Sequence, residues 1–197
     1  MLRRRAQLPI GGGRAKKIAR LELNTAGYRF RKMFRRVDLP PGISGKLLLH
    51  SMPGRFEALE SVWDHLKSET VRAIVCLNEN FEIQEKSSRY AQALKSGAVP
   101  CAVLAFEIRE GGAPEDRAAF WLLAKEVAHR LRSGEAVLIH CAGGVGRTAM
   151  LAVSVLLALG EPIGEAEGTI SRAGSIVETI TQMEMLTWCA AQAAGVE

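Results

Sequence analysis

The chain has 197 residues, 48% of them hydrophobic and 24% charged, values that fit one globular domain with a sizeable core and exclude a low-complexity chain. No apolar run is long enough to span a bilayer, and the basic start, Met1–Arg5, lacks a following apolar core, so no secretory signal is expected. The net charge of +5 is uneven: residues 1–36 carry twelve Lys/Arg against a single acid, Glu22, which puts +11 there and leaves −6 on the rest.

In chain order, that basic segment comes first. It would attract nucleic acid or an anionic membrane surface electrostatically, or stand as a solvated, partly disordered arm. Its aromatics (Tyr28, Phe30, Phe34) are too few to argue for base stacking. Pro9–Gly13 reads as a flexible break and Ile18–Leu23 as a short strand. Pro40-Pro41-Gly42 is a second break, so residues 1–42 are expected as the arm and 43–197 as the compact domain.

Within 43–197, Lys46–Met52 reads as an apolar strand ended by Pro53-Gly54. Phe56–Leu66 has helical spacing through Phe56, Leu59, Val62, Trp63 and Leu66. Arg72–Leu77 reads as a buried strand, Ile83–Lys95 as a helix stopped by Gly97, and Cys101–Phe106 as the next strand. Glu115–Arg132 is a long helix between Pro114 and Gly134. Ala136–His140 is a strand, Arg147–Leu159 an apolar helix ending at Gly160, and about 164–172 and 179–194 two more helices. Strands alternating with helices predict an α/β fold with a central, mostly parallel sheet flanked by helices.

The chemistry concentrates in Val137-Leu-Ile-His140-Cys141-Ala142-Gly143-Gly144-Val145-Gly146-Arg147-Thr148. A buried strand enters a glycine-rich loop that opens a helix, the arrangement of an anion cradle. Loop amides and the helix N-terminus converge on one spot, with the helix dipole adding partial positive charge. Residues 142–147 would bind phosphate. Gly143, Gly144 and Gly146 remove side chains that would obstruct the curl, and Arg147 can grip two oxygens with its planar fork. A cysteine in that field favours the thiolate, a nucleophile in line with a bound phosphate ester. His140 would shape the loop through hydrogen bonds, and Thr148 would donate its hydroxyl to the sulfur. The segment is not a nucleotide-binding GxxxxGK[ST] loop, which needs a lysine.

HCAGGVGRT resembles the HCxxGxxR[ST] loop of protein tyrosine and dual-specificity phosphatases. Met52-Pro53-Gly54, the stretch from Glu107 to Pro114, and the stretch from Arg172 to Gln182 resemble, in the same order, the PG turn, acid loop and glutamine loop of the kinase-associated phosphatase branch. The resemblance spans about residues 46–190. It implies a dual-specificity phosphatase fold and hydrolysis of phosphate monoesters through a cysteinyl-phosphate, with no cofactor or metal. It also makes Glu110 the general acid where the family uses Asp, with Glu107, Glu115 and Asp116 as competitors, and Asp116 suited to the first turn of a helix. Gln182 would position the hydrolytic water, whereas Glu178, where the family often has Gln, is assigned no role.

The substrate class stays open: phosphotyrosine, phosphothreonine, a nucleotide, an RNA end or a lipid. The absence of lysine from 142–146 counts against a highly phosphorylated inositol. A phosphatase-like module that captures a phosphorylated partner without turnover is the alternative function. Trp63, Trp121 and Trp188 are expected in the core, and His50, His65, His129 and Arg55 in structural or surface roles. The four cysteines show no CxxC spacing, which argues against a metal or disulfide framework and for a reducing, cytoplasmic setting. Cys101 and Cys189 are expected as buried thiols, and Cys76 is a candidate redox partner for Cys141.

Overall fold

The computed structural model describes residues 34–195. The first 33 residues of the expected arm, and with them the strand expected at Ile18–Leu23, lie outside the described residues.

Among the described residues, five strands form one sheet in the order β1-β2-β5-β3-β4: β1 (Arg35–Val37), β2 (Lys46–His50), β3 (Val71–Cys76), β4 (Ala102–Ala105) and β5 (Ala136–His140). β2, β5, β3 and β4 run parallel, with β5 central, and only β1 is antiparallel. Among the described residues the sheet therefore begins at Arg35, five residues before the Pro40-Pro41-Gly42 break taken as the domain boundary. Three residues are too short for a periodic signal, and the basic context hid them.

Seven helices among the described residues cover the sheet: α1 (Leu59–Ser68), α2 (Asn80–Lys86), α3 (Ser88–Ser96), α4 (Arg117–Arg132), α5 (Gly146–Leu159), α6 (Ile163–Arg172) and α7 (Ile180–Ala193). Alternate strand residues point to opposite faces. Leu47, Leu49, Ala73, Val75, Val137 and Ile139 share a core with α4, α5 and α7, while Leu48, Ile74 and Leu138 face α1. α5 is buried along residues 146–157, which is why it reads as apolar all round. The parallel order brings the carboxyl ends of β2, β3 and β5 together at one edge, where ligands bind in open α/β sheets.

Three expectations need correction. The helix expected at Ile83–Lys95 is two helices broken at Ser87 (φ −156°, ψ 76°). The Ser87 hydroxyl donates to the Pro53 carbonyl at 2.8 Å, tying the break to the Pro53-Gly54 turn. α1 starts at Leu59, so Phe56 lies outside it, exposed, with the Arg55 guanidinium 4.6 Å from its ring centre. Cys101 is half-buried, whereas Cys189 is buried as expected. Trp121 is buried, and Trp63 and Trp188 are half-buried against the core.

Candidate active site

Cys141 follows the last residue of β5, and the loop 141–145 leads into the first turn of α5. A cradle of amides requires the loop carbonyls to point outward, and each outward carbonyl then needs a donor. Four of the carbonyls from His140 to Val145 have one. The His140 carbonyl accepts from Leu77 N–H (3.1 Å), Ala142 from Met52 N–H (3.2 Å), and Val145 from Ala149 N–H (2.8 Å). The Gly144 carbonyl accepts from the Ser175 hydroxyl (2.8 Å) and from Arg35 Nη2. Gly144 has φ +69°, and a Cβ there would sit 2.3 Å from the His50 carbonyl oxygen, so glycine is required. Gly143, expected to be equally constrained, has room for a methyl group.

Arg147 is buried at 3% exposure, and its partner escaped the sequence reading. Glu82, at the start of α2, takes Arg147 Nη1 at 2.8 Å and Nη2 at 2.9 Å, a bidentate pair, while Nη1 also donates to the Ile108 carbonyl at 2.8 Å. Burial alone would raise the Glu82 pKa. The Arg147 fork, the Asn78 amide and the Lys86 ammonium more than offset this and hold it at about 2. Asn78 Nδ2 lies 2.7 Å from Glu82 Oε2 and Lys86 Nζ 3.0 Å from Oε1. A charged Glu82 fixes the guanidinium plane without filling all five of its donors.

His140 is fully buried, with Nε2 2.9 Å from the Tyr90 hydroxyl. Burial, and then the neighbouring His50, push its pKa down to about 3, so the ring is neutral at working pH. Thr148 is buried too, but its hydroxyl has no partner among the described residues, so the expected bond to the Cys141 sulfur is not made in this structure. His50, read as structural or surface, is buried behind the loop, its Nε2 3.4 Å from Glu57 Oε1.

The acid loop differs. Glu110 lies in a turn with its side chain 67% exposed, and its Oε2 is 2.8 Å from Lys86 Nζ. Lys86 thus bridges Glu110 and Glu82, and through Glu82 the guanidinium. Glu107 and Glu115 are exposed, and Asp116 caps α4 by accepting from Ala119 N–H at 2.8 Å. Gln182 is fully buried: its Oε1 accepts from Glu178 N–H (2.8 Å) and its Nε2 donates to the Gly112 carbonyl (3.2 Å), joining the glutamine loop to the acid loop. Glu178, to which the sequence reading gave no role, has Oε2 only 2.2 Å from where a Gly146 Cβ would be, so its carboxylate rests on the cradle.

Cys76 faces His140 across the β3–β5 ladder, one residue from Cys141. Both thiols are free and buried, and burial raises the Cys76 pKa to about 11. No group of His, Cys, Asp or Glu among the described residues is arranged to hold a metal ion, and no helix there is long and apolar enough to cross a membrane.

The model of a family described as "Polymorphic toxin system, DSP-PTPase phosphatase" matches residues 50–161, more than half the chain. Cyclin-dependent kinase inhibitor 3 of Rattus norvegicus is 34% identical over 83 residues, which is 40% of this chain and 39% of that protein, so the match spans well under half of either. Among solved structures, kinase associated phosphatase with its catalytic cysteine replaced by serine aligns with a TM-score of 0.68 at 21% identity, over 83% of this chain and 94% of that one. Tk-PTP in its active form aligns at 0.61 and 26% identity, over 76% and 95%. PTPMT1 in complex with PI(5)P aligns at 0.64 and 18% identity, over 83% and 98%. The cysteine loop, the arginine and the strand and helix that carry them all fall inside the matched segment, and the chain belongs to this dual-specificity (DSP-PTPase) phosphatase family, resembling the kinase-associated phosphatase branch.

Proposed function

We propose that this chain hydrolyses phosphate monoesters through a cysteinyl-phosphate on Cys141, acting on phosphotyrosine or phosphothreonine in a protein. The observation that carries the reading is the bidentate Arg147–Glu82 pair beside the cysteine loop. Held end-on by Glu82 and Ile108, the guanidinium keeps its Nε–H and one Nη2–H without a partner among the described residues. Those two donors form the side-on fork that matches two phosphate oxygens.

In the first step the Cys141 thiolate attacks phosphorus and the bond to the ester oxygen breaks. The carboxyl of Glu110 gives that oxygen its proton. In the second step Glu110 takes a proton from water as the water oxygen attacks phosphorus. The S–P bond breaks, releasing phosphate and restoring the thiolate. Glu110 must leave Lys86 to do either. Gln182 uses one acceptor site and one N–H on the loop backbone, which leaves one of each to orient the water. Loop amides, the α5 N-terminus and Arg147 carry the transition-state charge. Thr148, buried beside the loop with a free hydroxyl, is the donor to the sulfur as it leaves. Four free cysteines suit a reducing compartment such as the cytoplasm.

The test is turnover of a phosphopeptide, phosphoinositide and nucleotide panel by the wild type and by Cys141→Ser. The variant should lose turnover and keep phosphate affinity, because the cradle is intact. Substantial turnover by pure Cys141→Ser removes the cysteine mechanism. A wild type that binds phosphopeptide without turnover is a binding module instead. Preference for a lipid or nucleotide would replace the protein substrate.

A further inference from the structure

The cradle works only if the peptide units of the cysteine loop stay turned with amides inward. Three of its outward carbonyls, at His140, Ala142 and Val145, are held by backbone N–H groups. The fourth, at Gly144, is held by side chains. Ser175, 1% exposed at the start of the glutamine loop, donates to it at 2.8 Å, and Arg35 Nη2 donates to it as well. Arg35 Nη1 reaches further, to the Ser175 hydroxyl (2.7 Å) and to the Gly174 (2.5 Å) and Ala173 (3.3 Å) carbonyls. One guanidinium on the edge strand therefore ties the tip of the cysteine loop to the segment that leads to Glu178 and Gln182. Arg35 shares its face of β1 with buried Val37, which aims it at this junction. Arg35 and Ser175 both lie outside the matched family segment, whereas Met52, which holds the Ala142 carbonyl, lies inside it.

Gly144 is where such a clamp matters most. Its left-handed conformation lacks the restraint of a side chain, and a peptide flip there would turn a carbonyl toward the phosphate in place of an amide. A charged donor on that carbonyl opposes the flip and polarises the peptide unit, strengthening the amide on the other side. We propose that Arg35, braced by Ser175, is a positioning residue of the cysteine loop, setting the affinity of the cradle for a tetrahedral oxyanion from a strand outside the family core. This rests on the phosphatase reading above.

The experiment measures competitive inhibition by inorganic phosphate, and kcat and KM for p-nitrophenyl phosphate, in the wild type, Arg35→Met, Arg35→Lys and Ser175→Ala. That substrate has a good leaving group, so kcat/KM, which reports the steps up to the cysteinyl-phosphate, reads the cradle and not Glu110. Arg35→Met should weaken phosphate binding and lower kcat/KM about 10- to 100-fold. Arg35→Lys should recover part of this, since the ammonium keeps the charge but lacks the planar fork that spans Gly144 and residues 173–175 together. Ser175→Ala should give a smaller loss in the same direction. The inhibition constant belongs to folded molecules, so a role confined to stability would leave it unchanged while the active fraction fell. An inhibition constant within twofold of wild type in Arg35→Met, in active protein, overturns the proposal. If Arg35→Met does not fold, wild-type constants in both Arg35→Lys and Ser175→Ala overturn it. A wild type that neither turns over nor binds phosphate sinks the phosphatase reading and this inference together, whereas an active wild type with unaffected variants sinks only this one.

Discussion

The cysteine loop and the acid loop face the same site and are built in opposite ways. The cysteine loop is mostly buried, the carbonyls of His140, Ala142, Gly144 and Val145 are matched by donors, and its arginine is locked onto a buried glutamate. The acid loop is largely exposed at Glu107 and 109–111. Its backbone is tied to the rest of the fold at Ile108, through Leu77 and Arg147, and at Gly112, through Gln182. Between those pins lies Glu110, held by the single Lys86 bridge. The contrast fits the roles proposed for the two loops. An anion cradle must be organised before its ligand arrives, because amides that reorient on binding spend the energy they should supply. A proton donor must be able to move, and a segment with few buried contacts opens at little free-energy cost.

If that contrast holds, the acid loop should tolerate substitution in stability while losing activity, and the cysteine loop should lose both. The largest effect is expected from Glu110→Gln. An alkyl or phosphothreonine substrate should slow by about 10²–10⁴-fold. p-Nitrophenyl phosphate should slow far less, and the denaturation midpoint should hardly move, because an exposed ion pair contributes about 1 kcal/mol or less. Paired rate measurements on the two substrates decide it. A silent Glu110→Gln beside a crippled Asp116→Asn would move the acid to Asp116 and break the assignment of the loop.

Next comes Glu82→Gln, which leaves a buried guanidinium without its counter-charge. A loss of about 3–5 kcal/mol is expected in chemical denaturation, with impaired phosphate binding. The pH dependence supplies a second readout. Glu82 has a folded pKa of about 2, below its unfolded value of about 4.3. Its contribution is therefore present above pH ~4.3 and lost as pH falls toward 2. His140, at about 3 when folded, is likewise depressed below its unfolded value of about 6.5, and its contribution is lost as pH falls from about 6.5 toward 3. Glu82→Gln should flatten the lower part of the acid-unfolding curve and leave the His140 part. A curve of unchanged shape would show that Glu82 is not held as a carboxylate.

The smallest effect is expected from the paired glycines. Gly144→Ala forces a Cβ against the His50 carbonyl in a left-handed conformation, at a cost of roughly 1–3 kcal/mol in stability, with loss of phosphate affinity. Gly143→Ala meets no atom closer than Val145 Cγ2 at 3.9 Å and should stay within about 0.5 kcal/mol of wild type. Equal damage from both would mean that the whole loop, and not its tip, needs glycine.

Features that lie contiguous along the chain were legible before folding. Periodicity and composition placed β2–β5 and the long helices. HCAGGVGRT located the loop, because strand, cysteine, glycines, arginine and helix are joined covalently in one stretch and their spacing is their geometry. The residues that reach the loop from elsewhere were not legible, because folding alone brings them to it. Glu82 stands 65 residues before Arg147, Arg35 109 before Gly144, and Ser175 31 after it. No local pattern pairs such residues; in sequence, Glu82 is one acid just ahead of the helix expected at Ile83–Lys95 and Arg35 one base in a charged arm. They meet because the order β1-β2-β5-β3-β4 sets β5 between β2 and β3. The loop is then flanked on one side by α2, which follows β3, and on the other by the edge strand beyond β2. A buried charge or outward carbonyl at that crossing is costly until a partner arrives, and the sheet order determines which residue can serve.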